Sequence, residues 1–419
     1  MKPQVTTLPT GLRILTIPNP NVETVNVMIL TSIGGRVESP EVSGIAHFLE
    51  HMAFKGTPKR PNPIEINREI ELLGARTNAF TWQEFTGYFI MGNKSHLAKY
   101  LDILSDIYLN STFPVNEMEK EKGVILEEIK LHKDEPIYRA GDLFFEATFG
   151  KGVLGRSLLG TEETIKGMTR DNFINFKKNY APKNTLLAVA GNAELSQVLK
   201  NLKDLGSWKS QGLSVEEKKE NPQSTILLET RQSEQAHLRL GIKTCRMLSS
   251  LTPVVDVLNA HIGSGLGSLM FEVLREKMGL AYYCSSSAVY YQDTGVLKMS
   301  AGVATAKLEE ALVGMIGEIR EIIEQGIKPK QLERAKEYIK GGLYMGLETT
   351  EGLNEYYAFD LLLKGKLQEP QEYARKIDEV TSEDISKFLK EKFVPQNLSL
   401  AVVGNYKNKE RLEEIVYGK

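Results

Sequence analysis

His47 and His51 are two of only six histidines in this 419-residue chain, and they stand four positions apart in the segment His47-Phe-Leu-Glu-His51. Positions i and i+4 of a helix lie one turn apart on the same face, so two imidazoles can be offered to one metal ion. Glu50, three residues after His47, reaches that face too. Its carboxylate can stand beside the ion without ligating it.

Catalytic zinc takes a third protein ligand and keeps one position open for water. The stretch VNEMEKEKGVILEEIKLHK offers Glu117, Glu119, Glu121, Glu127, Glu128 and His132. At about 100° per residue, Met118, Val124, Ile125, Leu126, Ile129 and Leu131 set a buried direction. Glu121 lies roughly 45° from it, Glu128 roughly 65°, and Glu127 roughly 165°. A carboxylate beside an apolar face is costly unless it is paired or bound to metal. Glu128 as ligand, with Glu121 behind it as a supporting carboxylate, answers that cost. The order H-x-x-E-H is also the inverted form of a zinc-peptidase signature.

These residues need rigid elements. Ser43 is a suitable N-cap and Gly56 a suitable C-cap for a helix over Ser43–Lys55. Periodicity predicts strands near Thr24–Ile33 and within Arg76–Ile90. It predicts helices over Leu97–Leu109, Asn116–Lys133, Leu308–Gln325 and Lys330–Met345. Two segments share a pattern: YAPKNTLLAVAGN from Tyr180 and FVPQNLSLAVVGN from Phe393, with seven of thirteen positions identical and an offset of 213 residues. Each reads as a turn, a buried strand and a Gly-Asn turn, preceded by a helix capped near Thr169 or Thr381. An internal duplication accounts for this. The expected fold is α+β, with two similar α/β-roll halves of mainly antiparallel sheet and packed helices. The halves are residues 1–208, carrying the metal site, and residues 225–419. A polar, charge-dense linker over 209–224 joins them.

Composition excludes several classes. Apolar residues make up 41% and charged residues 25%, with 52 basic against 54 acidic side chains. That balance gives no footprint for nucleic acid or an anionic membrane. Two cysteines, Cys245 and Cys284, cannot build a disulfide framework or a cysteine zinc finger. No apolar run reaches signal-peptide or membrane-spanning length, so a cytoplasmic location is expected. Gly263-x-Gly265-x-Gly267 lacks the lysine of a phosphate loop and reads as a turn joining helices.

The long spacing from HFLEHMAFKGT to Glu128, with 76 residues between His51 and Glu128, resembles the pitrilysin/insulinase family of zinc peptidases. The branch it looks most like is the processing-peptidase β-subunit and its bacterial relatives. Further matching segments are GLRILTIPN, GARTNAFTWQEFTGYF, EKGVILEEI and LGRSLLGTEETI. The resemblance implies one Zn2+ per chain held by His47, His51 and Glu128, with Glu50 as general base and Glu121 in support. It implies that Arg275 and Tyr282, in LREKMGLAYYCSSS, bind substrate and steady a tetrahedral oxyanion. It implies a substrate edge strand at Asn78, Ala79 and Phe80, on which a peptide pairs as an added strand. One departure is Met270, where the family commonly has arginine. The function implied is an endopeptidase acting on peptides or unfolded segments inside a dimeric chamber. The partner would be a second copy or a homologous subunit. Two rivals stand beside it: a processing peptidase that needs a distinct partner subunit, and a non-catalytic peptide-holding or structural subunit.

Overall fold

A computed structural model describes residues 2–212 and 224–418. Most of the expected linker therefore lies outside the described residues. Eleven strands form two sheets among those residues. The first contains β1 (Gln4–Thr7), β2 (Arg13–Pro18), β3 (Thr24–Thr31), β4 (Arg76–Thr81), β5 (Thr86–Asn93) and β6 (Thr185–Gly191), in the order β1-β2-β6-β3-β5-β4. The second contains β7 (Ile226–Thr230), β8 (Gln235–Lys243), β9 (Ala281–Tyr290), β10 (Gly295–Ala304) and β11 (Leu398–Gly404), in the order β7-β11-β8-β10-β9.

The two sheets repeat one pairing scheme. In the first, β2 runs parallel to β6 and every later pair is antiparallel. In the second, β7 runs parallel to β11 and the rest are again antiparallel. β1 is an added strand without a counterpart among the described residues. The shared sequence pattern falls on the equivalent central strands β6 and β11, and all seven residues of each are buried. A central strand covered on both faces is restricted to apolar and small residues, which is why this segment kept a readable pattern. The fold is thus α+β with a duplicated plan.

The chain forms two compact units, each drawn from three stretches. Unit one contains Met1–Lys130, Ser157–Lys218 and Met345–Gln368; unit two contains Leu131–Arg156, Lys219–Tyr344 and Glu369–Lys419. One face of the first sheet carries the helices α1 (Ile45–Ala53), α2 (Pro63–Leu72) and α3 (Leu97–Asn110), over a core that includes Ile14, Val27, Ile29, Phe48 and Tyr88. Its other face is apolar too, with Leu15, Ile17, Met28, Leu30 and Phe89, and the helix Thr350–Phe359 covers it. That helix comes from late in the chain. At its centre the fully buried Asn354 donates from Nδ2 to Asn26 Oδ1 at 2.7 Å. The counterpart in unit two is α5 (Pro136–Phe149), which follows α4 (Val115–Asp134) and packs on β11 and β8.

The helix that carries the two histidines is shorter than expected, and its cap differs. It starts at Ile45 behind Gly44, which adopts φ +92, a left-handed conformation glycine tolerates. Ser43 makes no capping bond. The buried Glu38 carboxylate accepts the N–H groups of Gly44 and Ala46, both at 2.8 Å. A carboxylate from an earlier turn thus does the work of a capping side chain, next to the positive end of the helix. The helix stops at Ala53, and Gly56 lies beyond its C-cap, Phe54.

Candidate active site

α1 is nine residues long, and six of them are buried: Ile45, Ala46, Phe48, Leu49, Met52 and Ala53. This apolar face fixes the helix axis and rotation. His47, Glu50 and His51 occupy what remains and stay half-buried. Phe48 meets Phe173 edge to face, with ring centroids 4.8 Å apart. His47 Nε2 and His51 Nε2 converge to 3.2 Å. α4 supplies the third donor: Glu128 Oε2 stands 3.8 Å from His47 Nε2. One ligand atom each from His47, His51 and Glu128 lies within 4.8 Å of the others.

This geometry fits a divalent ion. A tetrahedral centre with bonds of about 2.0–2.1 Å has ligand-to-ligand edges of about 3.3 Å. The two imidazole nitrogens already sit at that separation. The Glu128 side chain is 34% exposed, so rotation can bring its oxygen in.

The surroundings orient the donors. Glu121 is the buried carboxylate of α4, on the stripe with Met118, Ile125 and Ile129. Its Oε1 lies 2.8 Å from His51 Nδ1 and its Oε2 lies 2.6 Å from Lys55 Nζ. Burial alone would raise the Glu121 carboxyl, but the bonds from His51 and Lys55 outweigh it and hold the acid below its ordinary range. An ionised Glu121 accepts the Nδ1 proton of His51, which leaves the Nε2 lone pair facing the cluster. Burial works against charge on His51, yet Glu121, Glu50 and Glu128 together push its pKa up. Three carboxylates around two imidazoles thus make a place that favours positive charge.

Glu50 differs from its neighbours. Burial pushes its carboxyl up, while a hydrogen bond from Thr81 and the nearness of His51 only partly offset the rise. Thr81 Oγ1 donates to Glu50 Oε2 at 2.7 Å. Thr81 closes β4, the outermost strand of the first sheet, so strand and helix meet at this hydrogen bond. Neither Thr81 nor Lys55 carried a sequence signal of its own. Their positions depend on how β4 and α4 lie against α1, which spacing along the chain does not encode.

The other expected residues fall as follows. Asn78, Ala79 and Phe80 pair with Phe89, Tyr88 and Gly87 of β5, and the opposite edge of β4 pairs with no strand among the described residues. The Ala79 N–H donates to Asn78 Oδ1 at 2.9 Å. Arg275 and Tyr282 belong to unit two. Tyr282 is 60% exposed at the start of β9, and Arg275 Nη1 donates to its carbonyl at 3.3 Å. Arg275 also lies over the Phe271 ring at 5.2 Å. The structure therefore groups His47, His51, Glu128, Glu50 and Glu121 in one unit and pairs Arg275 with Tyr282 in the other. His261 is buried in the core of unit two, and His237 bonds through Nδ1 to the Tyr283 hydroxyl at 3.1 Å.

Fold and site together define a duplicated α+β chain with one His–His–Glu group able to hold a divalent ion. Residues 13–162 match the family described as Insulinase (Peptidase family M16), and residues 167–339 match the Peptidase M16 inactive domain. An uncharacterized zinc protease of Bacillus subtilis, YmxG, is 33% identical over 394 residues, covering 94% of this chain and 96% of the relative. An uncharacterized zinc protease of Mycobacterium leprae, ML0855, is 32% identical over 414 residues, covering 97% and 93%. A crystal structure of a protease from Helicobacter pylori has the same fold, with a TM-score of 0.89 at 23% identity over 96% of this chain and 99% of that one. The chain belongs to peptidase family M16. No helix among the described residues is long and apolar enough to cross a membrane.

Proposed function

We propose that this chain is a zinc-dependent endopeptidase that hydrolyses peptides or unfolded polypeptide segments. The observation that carries the reading is the convergence of His47, His51 and Glu128 within 4.8 Å, with the Glu50 carboxylate on the same helix face. The names of the relatives, zinc proteases, support zinc as the metal. Zinc in that position would supply Lewis-acid polarisation of a peptide carbonyl and acidify water. Glu50 takes the proton from the attacking water and passes it to the leaving amine. Thr81 donates to one of its oxygens and leaves the other for the water. β4 offers its unpaired edge to an extended peptide, which exchanges the Asn78–Ala79 bond for main-chain pairing at Asn78, Ala79 and Phe80.

Arg275 and Tyr282 serve a peptidase site as an oxyanion donor pair supplied by a partner copy, in a homodimer that encloses the substrate. A phenol left exposed at the start of a strand contributes little to a core, which supports a role outside it. Glu50→Gln should abolish hydrolysis of an unstructured peptide while zinc content stays at one per chain. Mixed dimers of Glu50→Gln and Tyr282→Phe subunits should regain activity through one intact site. Inactivity in demonstrably mixed dimers would sink the shared-site arrangement, and zinc-loaded wild type inert on varied peptides would sink the peptidase reading.

A further inference from the structure

Unit two holds a second cluster of chemistry. Side chains alternate across a sheet, so register places His237 and Arg239 of β8, Lys298 and Ser300 of β10, and Tyr283 of β9 on one face. This is the face on which α5 packs, chiefly over β11 and β8. The Arg239 guanidinium slips beneath α5 at Gly141, where an added Cβ would come within 3.4 Å of Nη2. It donates from Nη2 to the Ile137 carbonyl at 2.8 Å and from Nη1 to Ser300 Oγ at 3.4 Å. Its Nε is buried without a partner. The Lys298 ammonium stands 4.9 Å above the Phe145 ring.

Among the described residues no carboxylate forms an ion pair with Arg239 or Lys298. Glu229 is engaged by Arg139 and Arg231. Asp142 lies close enough to Arg239 to be felt, but burial pushes its carboxyl up, and His132 stands 4.0 Å from it. Burial first, and then the nearby Arg239, lower Lys298 to about 8. Lys298 has no carboxylate acting on it, and Asp142 answers Arg239 without forming an ion pair, so these half-buried cations are costly to keep. The duplication supplies an internal control. The equivalent face of the first sheet, under the helix Thr350–Phe359, has Met28 at the register position of Arg239 and Phe89 at that of Ser300, while Asn26 and Arg13 are its polar members and bond Asn354 and the Leu361 carbonyl. This fold therefore does not require charge at that place.

We propose that this corner of the second sheet is an oxyanion-binding site, taking a carboxylate or a phosphate group between Arg239 and Lys298 with the hydroxyls of Ser300 and Tyr283 as further donors. The forked guanidinium suits a planar or tetrahedral oxyanion, and the ammonium adds a second positive point. The inference stands apart from the peptidase reading, because it uses no residue of the metal site.

Isothermal titration of the full-length protein with inorganic phosphate, and separately with glutarate, tests it. Saturable binding of at least one probe is expected, weakened at least tenfold in both Lys298→Met and Arg239→Lys. Phosphate alone would assign a phosphate site and glutarate alone a carboxylate site. Uptake of neither, or uptake undiminished in the two variants, overturns the proposal. In anion-free buffer Lys298→Met should melt at or above the wild-type temperature, since it removes an unpaired half-buried cation. A marked drop would show that the cation serves only the fold, and would overturn the proposal as well.

Discussion

Glu50 is steered by a single hydroxyl. Thr81 donates to it across the junction of β4 and α1 at 2.7 Å. Hydrogen bonds to a charged group contribute roughly 1.5–3 kcal/mol, so Thr81→Val should lower kcat by about tenfold or more. KM should change far less, and Thr81→Ser should keep most of the rate. Equal losses in kcat for Ser and Val would contradict this. Behind the histidines, Glu121 joins Lys55 to His51. Glu121→Ala should cost about 10–100-fold in zinc affinity, read by competition with a chromogenic chelator. At this scale the grouping of His47 and His51 was legible, because helical spacing decides it. The direction of Glu128 was legible only through the apolar stripe of its own helix, and imperfectly. Val124 and Leu131, counted with that stripe, are 52% and 51% exposed, while Glu121 is buried within it.

Among the elements, the loop after α1 has a fixed geometry. Arg60, 3% exposed, bonds Glu69 of α2 and both Asp102 and Asp106 of α3, at 2.6, 2.7 and 2.7 Å. Thr57 donates to Asp106 at 2.6 Å and accepts the Arg60 N–H. This knot ties the end of the histidine helix to its neighbours. Arg60→Met takes the arginine from the buried Asp106 and should cost about 3–5 kcal/mol in urea unfolding. It also sets an acid response. Burial raises the Asp102 carboxyl, but Lys59, Arg60 and Lys203 outweigh it and hold the acid far below its ordinary range. The unfolded chain therefore binds that proton first. The contribution of Asp102 is full above about pH 4 and fades as pH falls toward the folded value. Urea midpoints between pH 5 and about pH 2 should fall steeply in the wild type, and less steeply in Arg60→Met. Helices and strands were well placed by periodicity: Leu308–Gln325 is found as expected, and Lys330–Met345 extends by one residue at each end. The cap of α1 was not legible, because Glu38 acts from outside the helix.

For the molecule as a whole, duplication was readable in β6 and β11, where complete burial restricts the choice of residues. The exchange of helices was not. Nothing local in Thr350–Phe359 tells which sheet it covers, since an apolar helix face fits either. A fragment of residues 2–208 should consequently fail to fold cooperatively, because Leu15, Ile17, Met28, Leu30 and Phe89 would lose their cover. A peptide spanning Met345–Gln368, added in trans, should restore a sharp thermal transition. A fragment that melts sharply alone would refute this.

The same helix bears on how the protein is made. Synthesis runs from the N-terminus, and domains begin folding as they leave the ribosome. Here the sheet beside the histidines is complete at β6, yet its missing layer, Thr350–Phe359, follows only after the whole of the second sheet but β11 has been made. Between the end of β6 and the emergence of that helix, the nascent chain carries an exposed apolar sheet face and an unfinished metal unit. An interval of exposure is built into that order, and it closes only when the late helix arrives.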